Sequence, residues 1–105
     1  MRNFSIFIFV ALLLSGRASA EQSASEKAYT LTLMCQVVAA HFDDQPAFRK
    51  AADAARRMGR TQGYSDEKIS KDAFTMTEVL GVREREQPGT LDADRDGCRK
   101  IGLAS

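Results

Sequence analysis

The chain has 105 residues, of which 44% are hydrophobic and 28% charged, and its 15 basic and 14 acidic residues nearly cancel. This length accommodates one small domain and excludes a multidomain enzyme. The balanced charge removes the electrostatic case for nucleic-acid binding, which needs a strongly basic protein. The sequence shows no catalytic triad, phosphate-binding loop or metal-ligand cluster, so we predict a protein that is not an enzyme and carries no cofactor.

The first twenty residues have the three-part pattern of a secretory signal peptide. Arg2 starts a short basic region, residues 6–14 form an unbroken apolar run, and residues 18–20 (Ala-Ser-Ala) make a small-x-small cleavage site. The apolar run is shorter than the roughly 20 residues that a membrane-spanning helix needs. We therefore expect a periplasmic or secreted protein whose mature chain, residues 21–105, is a single helical domain with no membrane segment.

Cys35 and Cys98 are the two cysteines of the chain. Export would place them in an oxidising compartment, where disulfides form and persist. A bond between them would close a loop of more than sixty residues, which contributes roughly 4 kcal/mol in the chain-entropy model. A redox-active pair usually has a Cys-x-x-Cys spacing, which this pair lacks. We therefore expect a structural disulfide that a small domain with little buried apolar surface depends on.

Four amphipathic segments, separated by glycine and proline, predict an all-α fold of four helices. No segment alternates convincingly with the period of two that is typical of a strand. Capping residues and glycines set the expected helical ranges, which are about 23–43, 44 to 59 or 63, 65–81 and 90–103. The sequence thus predicts a small four-helix domain tied by one disulfide.

Between the third and fourth predicted helices, residues 82–89 are polar, alternate in charge and end in a Pro-Gly turn signal. We expect an exposed connection here, although residues 83–86 could extend the third helix. An exposed polar loop is either a recognition element or a plain connector. The candidate partner-binding residues in it are Arg83, Glu84, Arg85, Glu86 and Gln87.

Residues 92–97, Asp-Ala-Asp-Arg-Asp-Gly, match the first half of a calcium-binding loop. Asp92, Asp94 and Asp96 would supply alternate carboxylates, but Leu103 stands where a complete loop has a bidentate Glu. The alternative is an acidic start of the fourth helix, which the helix dipole favours. We therefore expect no metal, and keep a calcium- or ligand-binding module as a second hypothesis.

The second predicted helix carries a basic surface. Its basic residues are Arg49, Lys50, Arg56, Arg57 and Arg60. Arginine is enriched at protein interfaces, so this surface could contact an oppositely charged partner. An ordinary solvated helix face is the alternative, and the sequence leaves both open.

Taken in chain order, several features resemble the periplasmic immunity proteins that neutralise type VI secretion amidase effectors. The resemblance spans about Tyr29 to Cys98, and the chain departs from the family at Arg56 and Arg57, where small or aromatic residues would be expected. The features that carry it are Tyr29, Leu31 and Leu33 before Cys35, then Ala39, Ala40 and Phe42, Asp44-Gln45-Pro46-Ala47, the Ala-rich residues 51–55, Gly63-Tyr64, Leu80 and Cys98.

This resemblance implies a helical dimer that binds a peptidoglycan amidase and blocks its active-site groove with a protruding loop. By position, that loop would lie near residues 83–87. The expected function is therefore an immunity or inhibitor protein of the periplasm. A small periplasmic chaperone is a further alternative, because the mixed charge and small core are compatible with it.

Overall fold

The computed structural model describes residues 24–105; the expected signal peptide and Ser23, where the first helix was expected to begin, lie outside the described residues. This part of the chain is all-helical, with no strand among residues 24–105. The helices are α1 (residues 24–41), α2 (Gln45–Thr61), α3 (Asp66–Glu86) and α4 (Thr90–Lys100). Among these four helices, none has the length and apolar character that crossing a membrane requires.

Side-chain caps fix the starts of α2 and α3. The Asp44 carboxylate accepts a hydrogen bond from the Ala47 N–H at 3.3 Å, and the Ser65 hydroxyl accepts one from the Lys68 N–H at 3.1 Å. Pro46 lies in the first turn of α2, where a missing N–H costs nothing. These are local signals, and the two helix starts predicted from them are confirmed.

α1 is the central helix of the fold. At 100° per residue, its buried positions cover more than half of its circumference, so it is packed on several sides. The buried clusters around it are Tyr29, Leu33, Ala55 and Ile69; Cys35, Ala51 and Cys98; and Val38, Leu80 and Leu91. Each cluster joins α1 to other helices, so α1 organises the core.

The predicted disulfide joins α1 to α4. Cys35 and Cys98 are bonded, with their Cα atoms 5.7 Å apart, and both residues are fully buried. Ala51 of α2 packs against the disulfide, and so does Leu103 of the segment after α4. The disulfide therefore lies at a point where three helices meet.

Small residues on the buried side of α2 let it approach its neighbours closely. A Cβ atom at Gly59 would lie 2.6 Å from Cδ1 of Ile69 and 3.2 Å from Cε1 of Tyr29. Gly59 is thus a packing residue inside α2 and does not end the helix. Gly63, with a φ of 82°, takes the left-handed conformation just beyond the helix end.

The segment after α4 folds back across the domain. Gly102 has a φ of 78°, and the Leu103 N–H donates to the Cys98 carbonyl at 2.8 Å. This left-handed turn ends α4 at Lys100, earlier than the predicted Leu103. The Ser105 N–H and hydroxyl each donate to the Asp44 carboxylate at 3.0 Å. Those bonds lower the pKa of Asp44.

We predict that replacing both cysteines, Cys35→Ala with Cys98→Ala, lowers the free energy of unfolding by roughly 4 kcal/mol, because the unfolded chain regains the entropy of a closed loop. Urea unfolding followed by circular dichroism measures the difference. A reducing agent should destabilise the wild-type protein by a similar amount and leave the double variant unchanged. Equal stability of the oxidised wild type and the variant would contradict the prediction.

Candidate functional site

The region expected to be an exposed connection is mostly helix. α3 continues through Gly81 to Glu86, and the Gln87 N–H donates to the Arg83 carbonyl at 2.8 Å. A glycine inside a helix costs only about 1 kcal/mol relative to alanine, so Gly81 does not by itself stop α3. The predicted end at Gly81 is wrong, and the alternative in which residues 83–86 extend the helix is confirmed.

The Glu84 carboxylate holds the turn between α3 and α4 from the inside. It accepts hydrogen bonds from the Gly89 N–H at 2.9 Å, from the Thr90 hydroxyl at 3.0 Å and from the Leu91 N–H at 3.0 Å. Gly89 occupies the N-cap position of α4 and has no side chain to cap it, so Glu84 provides the missing acceptor. The bond from Gly89 is the largest cause that lowers the pKa of Glu84.

Arg83 is also engaged within the fold. Its guanidinium pairs with the carboxylate of Asp94 on α4, whose side chain is only 16% exposed. Arg83 and Glu84 therefore lie in α3 and join it to α4, so they are not part of an exposed loop. Their part in partner binding stays a prediction.

The other three candidate residues remain on the surface. Arg85, Glu86 and Gln87 are exposed, as are Pro88 and Gly89 after them. We call residues 85–89 the α3–α4 corner. It presents a cation and an anion on the last turn of α3 and an amide just after it, and Glu84 holds the far end of the connecting turn through the Gly89 and Leu91 N–H groups.

The candidate calcium ligands lie on a helix and not in a loop. Because successive helical residues turn by 100°, Asp94 points away from the side shared by Asp92 and Asp96. Asp94 pairs with Arg83, and Asp96 pairs with Arg99 at 3.0 Å. Within residues 24–105, no three side chains of ligand type are placed to hold a metal ion together. The expected loop geometry is therefore not formed.

An open apolar groove of about 480 Å³ runs between α1 and α3. Leu31 and Met34 line it from α1, and Met76 and Val79 line it from α3. Leu31 is 37% exposed and Val79 is 55% exposed, and exposed apolar side chains that lie together suit contact with another apolar surface. The apolar periodicity of the helices does not predict this groove; its one signal in the sequence is Val79, an apolar residue beside the buried stripe of α3.

Beside the groove, polar side chains join α1 to the start of α3. The Tyr29 hydroxyl donates to Asp72 at 2.8 Å, and Lys68 donates to the same carboxylate oxygen at 2.9 Å. The Tyr64 hydroxyl donates to Glu26, and its ring packs edge-on against Tyr29 with centroids 5.2 Å apart. Burial, with the bond to Asp72, raises the pKa of Tyr29. Tyr29 therefore stays protonated near neutral pH and acts as a donor that links the helices.

Comparisons of the chain with models of protein families, with curated proteins and with solved structures return no match.

We predict that Glu84→Gln lowers the melting temperature at pH 7, because the amide keeps only one oxygen for the three donors that the carboxylate accepts. The pKa of Glu84 is lowered in the folded protein. Its stabilisation is therefore present above the pKa of an unfolded glutamate and is lost as the pH falls through the folded value. The melting-temperature difference between wild type and variant should shrink towards pH 3.

Thermal unfolding followed by circular dichroism at a series of pH values measures this effect. Glu78→Gln is the matched control, because Glu78 is an exposed glutamate of the same helix. A difference for Glu84→Gln that does not change with pH, or a control that behaves identically, would contradict the assigned role of Glu84.

Proposed function

We propose that this chain is an exported binding protein that inhibits a peptidoglycan-degrading amidase by occluding its active site, as an immunity protein does. The resemblance in sequence to periplasmic immunity proteins supports the proposal. The structural observation that carries it is the α3–α4 corner, where Arg85, Glu86 and Gln87 are exposed at the end of α3, next to a turn that Glu84 holds.

To block an active site, a protein needs a preorganised surface and does not need to catalyse a reaction. The side chains of Arg85, Glu86 and Gln87 offer hydrogen-bond donors and acceptors in place of those of a substrate peptide. Because α3 and the Glu84 bonds already hold the backbone, little backbone entropy is lost when the corner binds. An inhibitor of this kind performs no chemistry of its own, so the proposal is for a protein that is not an enzyme.

A periplasmic or secreted location is part of the proposal. The signal-peptide pattern of the first twenty residues supports it. The buried disulfide also supports it, because such bonds persist in oxidising compartments. The resemblance further implies a homodimer, and light scattering on the purified protein would measure its mass in solution.

We predict that the protein, recovered from the periplasm of cells that express the full chain, slows peptidoglycan cleavage by at least one enzyme in a panel of peptidoglycan amidases. Replacing Arg85, Glu86 and Gln87 together by alanine should weaken inhibition by about tenfold or more, because these side chains would form the contact. Cleavage rates at increasing inhibitor concentration measure both effects.

The matched control is the triple alanine variant at Glu67, Ser70 and Lys71, three exposed residues in the first half of α3. This control should inhibit as well as the wild type. Failure of the wild type to slow any amidase would reject the proposed function. Equal inhibition by the corner variant and the wild type would reject the corner as the site.

A small periplasmic chaperone is a second candidate function, which the groove between α1 and α3 supports through its exposed Leu31 and Val79. It predicts that the protein suppresses aggregation of an acid-denatured client after neutralisation, and that Val79→Asp removes this effect by placing a charge in the apolar groove. Light scattering of the client measures aggregation, with Glu78→Asp as the control. Undiminished aggregation with the wild type would reject the chaperone function.

A further inference from the structure

The exposed side of α2 is strongly basic. At 100° per residue, its basic side chains fall within a sector of about 120° and extend for about 17 Å along the axis. All of them are exposed. We call this surface the arginine face, and its basic residues are Arg49, Lys50, Arg56, Arg57 and Arg60.

The fold itself makes little use of these charges. Arg60 pairs with Asp66 at 3.3 Å, and both side chains are more than 60% exposed, which makes this a weak pair. Among residues 24–105, the other four basic side chains of the face form no ion pair. Arg56 and Arg60 are four residues apart, a spacing at which like charges destabilise a helix. A negatively charged partner would relieve that repulsion.

The arginine face is mounted on a fixed support. The buried residues of α2 lie on the opposite side and are all small, namely Ala47, Ala51, Ala54, Ala55 and Gly59. Ala51 packs on the disulfide cluster, and Ala55 packs on Tyr29 and Leu33 of α1. The backbone that carries the cations is therefore held in place before any partner binds, which lowers the entropy cost of association.

We infer that the arginine face binds an acidic surface of a partner protein. Four of its five cations are arginines, whose planar guanidinium pairs with a carboxylate through two parallel hydrogen bonds. Electrostatic complementarity of this kind steers association and selects the partner. The inference goes beyond the proposed amidase inhibition, which uses the α3–α4 corner, and does not depend on it.

Asp53 makes an acidic protein a better partner for the arginine face than a lipid surface or a nucleic acid. Asp53 is exposed in the middle of the same sector, three or four residues from Arg49, Lys50, Arg56 and Arg57. A phosphate-lined surface, of lipid or nucleic acid, places negative charge opposite this carboxylate, whereas the side chains of an acidic polypeptide can turn towards the flanking cations and away from Asp53. A helix that lies on a membrane also presents large apolar side chains to the lipid, and the apolar side of α2 is turned into the core.

Binding of the protein, recovered from cells that express the full chain, to fluorescently labelled poly-L-glutamate tests the inference. We expect binding that weakens as the salt concentration rises, because exposed charges are screened. Vesicles of equal parts phosphatidylglycerol and phosphatidylcholine, and a short DNA duplex, are the competing probes. Absence of binding to poly-L-glutamate, or tighter binding to the vesicles or the DNA, would overturn the inference.

Charge-reversing substitutions test whether the arginine face forms the contact with poly-L-glutamate. Arg56→Glu with Arg57→Glu should weaken binding to poly-L-glutamate by about tenfold, since several favourable charge contacts are lost together. Lys71→Glu with Lys100→Glu changes the net charge equally at exposed residues outside the face, and should weaken binding much less. Arg56→Gln with Arg57→Gln removes the two charges without reversing them and should weaken binding to an intermediate extent. This milder pair shows whether the effect of the charge reversal comes from the lost charges and not from misfolding. Equal losses for the two charge-reversed pairs would overturn the inference, because binding would then follow net charge alone.

Discussion

The bond between Cys35 and Cys98 ties the central helix of this fold to its last helix. α4 has only 11 residues, too few for a helix to be stable by itself in water. The disulfide holds α4 near its C-terminal end, and Glu84 holds its first turn. The α3–α4 corner therefore leads into a helix that is held near both of its ends.

Two groups of charged residues in the domain have different roles. Arg83, Glu84 and Asp94 lie partly buried between α3 and α4 and fix the relative position of these helices. The cations of the arginine face and the residues of the corner are exposed, and their side chains contribute little to holding the fold together. A domain of this size, with rigid helices and well-supported exposed side chains, suits recognition of another protein, which is the role that both proposals give it.

The sequence predicted those features that local signals determine. Asp44 and Ser65 cap their own helices, and the two cysteines had one possible intramolecular pairing. Features set by tertiary contacts were predicted less well. α3 passes through Gly81 because Arg83 and Glu84 find partners on α4. Leu31 fits the apolar periodicity of α1, yet it is 37% exposed because no helix among residues 24–105 covers the groove beside it.

A buried disulfide between Cys35 and Cys98 closes this helical domain. The bond can be tested by denaturing the protein recovered from the cell envelope, without reducing agent, and counting by mass spectrometry the thiols that react with a maleimide. We expect that no thiol reacts until a reductant is added, and that two react afterwards. Two reactive thiols before reduction would contradict it.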